Sequence, residues 1–371
     1  MSLPTFWFLV VAVLWTGFFV LEGFDFGVGM LHRLLTRSEQ EQRVAINSIG
    51  PFWDGNEVWL IVGGAGIFAA FPSWYATWFS AGYLAIVLLL AALIARGVSF
   101  EFRGKVGSDR WRRTWSGSLA VGSLVAPLVL GIALGDLVAG LPVDARQEFT
   151  GSTLDLFTPY GVWTGLTLVA LCLLHGATFL GLRTTGTLSE RAKGAGQWFG
   201  WAALVTVSGF GLWTLDLVHV GVGTYLALAL APVAVLLALT SLRQGRDGLA
   251  FVATALAVAG TVGGLFAALY PDVLVSSTKP AFTLTVQGTA SSHYALQVMT
   301  VVAVVLFPFV LLYQGYSYLV FRHRLHTPDE VSGEPAPPAA GPPAVTPPRQ
   351  RRPADEQVSG SRDPANRPRP R

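Results

Sequence analysis

The sequence predicts an all-α integral membrane protein with nine transmembrane helices, the N-terminus outside and the C-terminus in the cytoplasm. Three observations carry this. Of 371 residues, 52% are hydrophobic and only 13% are charged, more apolar than ordinary soluble domains. Apolar stretches of about 20 residues, enough to cross a ~30 Å hydrocarbon core, recur along the chain. Basic residues collect in alternate connections between those stretches. The runs are continuous rather than alternating, which favours helices over a barrel.

The first span, 6–31, is not a cleavable signal peptide: Met1–Thr5 carry no positive charge, the span is long, and it contains Glu22 and Asp25. The second, 51–71, opens at Pro51, a good first-turn residue, with Ser48 as a candidate cap. The third, 75–95, ends in a loop reading Arg96-Gly97-Val98-Ser99-Phe100-Glu101-Phe102-Arg103. Six more follow at 117–140, 158–181, 195–215, 222–241, 248–270 and 295–321. With these boundaries, sixteen of the eighteen Lys and Arg before residue 327 fall on one side, leaving only Arg146 and Lys279 on the other. The positive-inside rule makes the basic side cytoplasmic. Residues 1–326 therefore form the membrane domain. The segment 327–371 holds twelve of the chain's 22 prolines and few large apolar residues, and reads as a disordered cytoplasmic tail.

Acids inside spans mark chemistry, because a carboxylate at the bilayer centre costs about 2.5–3.5 kcal/mol even on insertion scales. Glu22 and Asp25 stand three apart, on one helix face. At 1.5 Å per residue from Phe6, Asp25 lies about 28 Å along its helix, towards the cytoplasm. Asp54 and Glu57 repeat the spacing at the cytoplasmic start of the second span. Together they suit a proton relay; pairing with buried basic residues, or plain stabilisation of a helix start, is the structural alternative. Arg96, Glu101 and Arg103 read as an Arg–acid cluster at a membrane mouth, either collecting protons or anchoring the interface. Gly23 and Gly27 form a GxxxG pair that permits close helix approach. Trp59 reads as packing or an interfacial anchor.

Other chemistries find little support. Cys172 is the single cysteine, which excludes an intramolecular disulfide and a cysteine metal cluster. His32, His323 and His326 fall at cytoplasmic helix ends, His219 and His293 lie outside, and His175 alone is expected to be buried in a span. A haem needs axial ligands such as His, Met or Cys. Met30, Met299 and Cys172 form no evident cross-membrane pair with His175, so a packing histidine is the expectation and no metal site is assigned. No Walker loop or dinucleotide fingerprint is present.

Several runs, in this order, resemble subunit II of cytochrome bd-type quinol oxidases. They are Gly23-Phe24-Asp25-Phe26-Gly27-Val28-Gly29-Met30, the run from Ile46 through Asn47-Ser48-Ile49-Gly50-Pro51-Phe52-Trp53-Asp54-Gly55-Asn56-Glu57-Val58-Trp59 to Leu60, the Arg96–Arg103 run, Gly176-Ala177-Thr178, and Gln297-Val298-Met299-Thr300. The resemblance spans roughly 5–325 and excludes the proline-rich tail. It implies two four-helix bundles plus a peripheral helix, in a bacterial cytoplasmic-membrane heterodimer. The haem-bearing subunit I would carry the b- and d-type haems, oxidise quinol on the outer side and reduce oxygen to water. This chain would bind no haem, support assembly and conduct cytoplasmic protons. The resemblance implies a proton route through the acids at Asp25, Asp54 and Glu101, to which the residue reading adds Glu22 and Glu57, and an oxygen-channel mouth at Trp59. Relatives can carry Asp at the positions of Glu22 and Glu101, and Gln at that of His175. Small accessory single-helix subunits and a structural quinone stay open, contact with lipid and quinone is implied, and nucleic acid is not. A proton-coupled secondary transporter and a purely structural assembly partner are the rival readings.

The orientation is testable by thiol labelling. Cysteines placed at Ser2 or within 144–155 should react with a membrane-impermeant reagent added outside intact cells, and a cysteine at Ser108 only once the inner face is opened. Outside labelling at Ser108 would overturn the topology.

Overall fold

The computed structural model describes residues 1–218 and 221–326; the proline-rich tail and His219 lie outside the described residues. The helices are α1 (Leu3–Leu35), α2 (Glu39–Ile49), α3 (Trp53–Ala70), α4 (Pro72–Ala81), α5 (Tyr83–Phe102), α6 (Asp109–Ala139), α7 (Pro159–Arg183), α8 (Gly186–Leu217), α9 (Val222–Arg243), α10 (Asp247–Leu269), the single-turn α11 (Val286–Thr289) and α12 (His293–Val320). Among the described residues, eight helices are long and apolar enough to cross a membrane: α1, α5, α6, α7, α8, α9, α10 and α12. The expected second span, α3, is not among them. It has 18 residues, and its first turns carry Asp54, Asn56 and Glu57.

Packing sorts the long helices into α1, α3, α5 and α6 on one side and α7 to α10 on the other, joined through α1–α7 and α6–α7. Helix α12 lies along α1 and α3 with Leu296 its single buried residue. Helix α3 runs antiparallel to α1: Asn56 sits beside Leu21 and Asp25, Trp59 covers Gly17, Gly63 faces Trp15, and Gly66 faces Leu14 and Val11. One end of the bundle is basic. At the other, β1 (Asp272–Leu274) pairs antiparallel with β2 (Leu284–Thr285), and Leu141 bridges to Ser276.

Three expected boundaries are corrected. The span expected at 75–95 is two helices, because Gly82 separates α4 from α5; Pro72 starts the first, and the membrane-length helix begins only at Tyr83. The loop expected at Arg96–Arg103 is consequently the last two turns of α5. Ser48 is not a cap: it lies inside α2, a helix the hydropathy pattern passes over, and donates to the Ala45 carbonyl at 2.7 Å. Helix α2 is amphipathic, opens on a Ser38 cap, and is tied to the bundle by charge. Arg103 donates to Glu39 at 2.7 Å and to Gln42 at 2.8 Å, and Arg191 pairs with Glu41. Partial burial pushes the Glu41 carboxyl up, but hydrogen bonds from the Arg37 N–H and from Arg191 outweigh it and hold the group below the usual carboxylate range.

Close approach of α1 and α7 depends on missing side chains. A Cβ on Gly27 would overlap the Cys172 carbonyl and the Gly176 backbone, whereas one on Gly23 would make ordinary contact with Cys172 Sγ at 3.6 Å. Backbone cannot rotate aside, so Gly27→Ala must separate the helices, an overpacking cost of about 1–3 kcal/mol. We expect Gly27→Ala to lower the temperature of half-inactivation of the purified complex and Gly23→Ala to leave it within error. Equal behaviour of the two variants would contradict this packing.

Candidate functional site

Four helices bring polar side chains together in the apolar interior towards the basic end. Helix α1 contributes Glu22 and Asp25, both fully buried. Helix α5 contributes Arg96, also fully buried, which the linear pattern places at a membrane mouth. Its Nη2 lies 2.6 Å from Glu22 Oε1, and its Nη1 donates to Glu57 Oε2 of α3 at 3.2 Å. The guanidinium lies over the rings of Phe26 at 4.9 Å and Phe100 at 5.6 Å, where the aromatic faces add attraction for a desolvated cation. A Cβ on Gly122 would run into the Ala92 carbonyl and Arg96 Cβ, so this glycine lets α6 close over the cation.

Asp25 is held by an uncharged residue of α3. Asn56 of α3 donates from Nδ2 to Asp25 Oδ2 at 2.7 Å and to the Leu21 carbonyl at 3.0 Å. Its Oδ1 accepts from Gln314 at 2.7 Å and from the Tyr318 hydroxyl at 3.2 Å, both on α12. Asn56 therefore links the peripheral helix to the buried acid. Glu22 and Asp25 lie one turn apart on one face of α1, and Glu22 Oε2 and Asp25 Oδ1 have no hydrogen-bond donor among the described residues. Three carboxyls around one guanidinium give a cluster whose charge balance depends on the protons it holds.

The remaining candidates sit apart. Asp54 is exposed in the first turn of α3, beside Glu57, with Asn56 rather than Asp54 reaching Asp25. Glu101 is exposed on the last turn of α5. Arg103 is buried, but it bonds Ser116, Glu39 and Gln42 instead of the acid cluster. Trp59 is buried against Gly17 and edge-on to Phe307. Glu57, its side chain 21% exposed, also lines one end of an apolar groove of about 600 Å³ between α3 and α5. The signal for Asn56, Gln314 and Tyr318 is present in the sequence: each is a polar group in an apolar run, and the reasoning applied to the acids extends to them.

His175 does not fit an axial haem ligand. Its Nδ1 is 2.6 Å from Thr254 Oγ1, its Nε2 is 3.1 Å from the Val20 carbonyl, and its ring stacks on Phe251 at 4.6 Å. Both ring nitrogens are engaged, so no step through a haem is derived from this chain. His32, expected at a cytoplasmic helix end, sits in the last turn of α1 and is fully buried.

The sequence of residues 3–321 matches the family described as cytochrome bd terminal oxidase subunit II. The chain belongs to this family. Cytochrome bd ubiquinol oxidase subunit 2 of Bacillus subtilis (strain 168) is 44% identical over 330 residues, covering 87% of this chain and 97% of the relative. Cytochrome bd-I ubiquinol oxidase subunit 2 of Escherichia coli (strain K12) is 38% identical over 354 residues, covering 84% and 92%. A chain from the structure of bd oxidase from Geobacillus thermodenitrificans superposes with a TM-score of 0.70 at 19% identity, covering 87% of this chain and 98% of that one. That likeness concerns the fold alone. A cytochrome bd subunit II is a multi-pass subunit of an oxidoreductase complex in the bacterial cytoplasmic membrane.

Removing one member of a buried ion pair costs roughly 3–5 kcal/mol, because the other is left uncompensated, whereas removing both costs far less. Arg96→Met should therefore sharply reduce the yield of assembled oxidase, and adding Glu22→Gln should recover part of it. A double variant no better than the single one would contradict the pairing.

Proposed function

We propose that this chain is the haem-free subunit II of a terminal quinol oxidase, paired with a haem-bearing subunit I that oxidises quinol and reduces oxygen to water. In this reading it supports assembly of that partner and passes cytoplasmic protons towards the oxygen site. The b- and d-type haems belong to subunit I, and the engagement of both His175 ring nitrogens supports that division. Small accessory single-helix subunits and a structural quinone are compatible partners in such a complex.

One observation carries the proton role: Glu22, Asp25 and Glu57 meet around Arg96 inside the helix bundle. An intramembrane carboxyl cluster with a partly exposed member is suited to taking up protons at one edge and releasing them inside. Glu57 is that edge, with the exposed Asp54 one turn before it at the basic end. Glu101, on the last turn of α5 at the same end, adds negative charge there. Trp59 keeps its place as the oxygen-path candidate by family resemblance.

We read α3 as the ninth pass, because it runs beside α1 from Asp25 to Val11. Nine passes put the N-terminus outside and the described C-terminal end at the basic, cytoplasmic face. A proton-coupled transporter has no support from the family to which the chain belongs.

Asp25→Asn keeps size and hydrogen-bonding capacity but cannot exchange a proton at neutral pH. We expect it to slow oxidase turnover per haem at least tenfold without preventing assembly. Asp54→Asn should be milder, since Asp54 makes no bond to the cluster. Flash-induced electron transfer should localise the loss of Asp25→Asn to proton-coupled steps. Wild-type rates at every such step in an assembled Asp25→Asn complex would make the acids structural.

A further inference from the structure

A second line of polar groups reaches the cluster from the basic end along the seam between α1 and α6. On α1, Glu22, Asp25, Gly29 and His32 are spaced three, four and three, which keeps them on one helix face. His32 Nδ1 lies 2.7 Å from the Gly29 carbonyl. A carbonyl oxygen only accepts, so Nδ1 carries the hydrogen and Nε2 presents a lone pair. Among the described residues that Nε2 has no hydrogen-bond partner, although the residue is fully buried.

One turn back along α1, Gly29 faces Ser123 of α6. A Cβ on Gly29 would land on the Ser123 side chain, so the missing methyl is what admits the serine. Ser123 is fully buried, and its Oγ also lacks a protein partner. It directly follows Gly122, the residue packed on Arg96, whose Nε is likewise without a hydrogen-bond acceptor. At the basic end of the seam, Arg103 donates to Ser116 Oγ at 2.8 Å, two turns before Ser123 on α6. Arg103 also holds Glu39, whose side chain is 37% exposed. An ordered row thus runs from the surface through Arg103, His32 and Ser123 to Arg96, Glu22 and Asp25.

Buried polar atoms are almost always hydrogen-bonded, to protein or to ordered water. Three successive unpartnered ones in a single seam point to water between them. We propose that a file of water along the α1–α6 seam, relayed by His32 and Ser123, is a second way in for protons to the acid cluster. This rests on the cluster being the proton-transfer centre. A proton arriving from water at the basic, cytoplasmic end binds the Nε2 lone pair and forms an imidazolium. The same proton then leaves Nε2 for the water on the Ser123 side, restoring the neutral ring, while the other hydrogen stays on Nδ1, donated to the Gly29 carbonyl. Ser123 accepts and donates in one hydroxyl, as a link in such a file requires.

The test uses the assembled oxidase, with turnover normalised to haem and the Asp54→Asn substitution present so that proton delivery at the α3 entrance is weakened. On that background His32→Phe, which removes the relay, should slow proton-coupled oxygen reduction at least fivefold further. It should also raise the solvent deuterium isotope effect on turnover, a readout that a packing defect would not move. Ser123→Ala, a smaller change that leaves the seam packed, should act in the same direction and decides the matter should His32→Phe fail to assemble. No additional slowing with Ser123→Ala, or an Asp54→Asn variant already as slow as Asp25→Asn, would overturn the second route. Asp25→Asn at wild-type rate would instead overturn the cluster reading itself.

Discussion

The structure depends on one cation placed where a cation is expensive. Arg96 lies fully buried among α1, α3, α5 and α6, and its guanidinium allows Glu22 and Glu57 to approach each other in an apolar interior. Burying charge is favourable only when partners are close and well aligned. The surrounding residues supply that alignment. Gly122 brings the α6 backbone over the Arg96 side chain, Phe26 and Phe100 flank the guanidinium, and Asn56 fixes Asp25 to α3. Pairs of this kind add little net stability, but they specify a register between helices that hydrophobic packing alone leaves free.

The contrast between apolar bulk and polar centre also organises the rest of the bundle. Long helices meet lipid with aliphatic faces, while close crossings use glycine, as at Gly27 against Gly176. Helix α12 buries almost nothing of its own, yet its Gln314 and Tyr318 reach the central amide of Asn56. Its position is therefore coupled to the acid cluster more through hydrogen bonds than through apolar contact. Any movement of α12 on assembly with a partner would be felt at Asp25 through a single intermediate residue.

Much of this was legible in the sequence, and the exceptions have physical reasons. The membrane class and the apolar spans follow from composition, because every backbone group in hydrocarbon must be satisfied internally. Glu22 and Asp25 stood out because acids in spans are rare. Arg96 was misplaced because a hydropathy window treats the first charge after an apolar run as the end of the helix, whereas α5 continues two turns further with its charge turned inward. Gly82 was invisible for the opposite reason: a break between two apolar helices leaves the hydropathy unchanged. Helix α2 was missed because its mean composition is polar and only its face is apolar. Which acids meet is a matter of tertiary contact. Topology and the family resemblance link Asp25 with Asp54, and geometry substitutes Asn56 as the residue that touches it.

The carboxyls around Arg96 should change protonation during turnover. Redox-induced infrared difference spectroscopy of the assembled oxidase measures this directly, through the carboxylic C=O stretch and its shift in deuterated water. Reduction of the complex should give a carboxyl signal that is lost or displaced in both Glu22→Gln and Asp25→Asn, with the haem bands unchanged. Difference spectra from both variants that superpose on the wild type throughout the carboxyl region would contradict it.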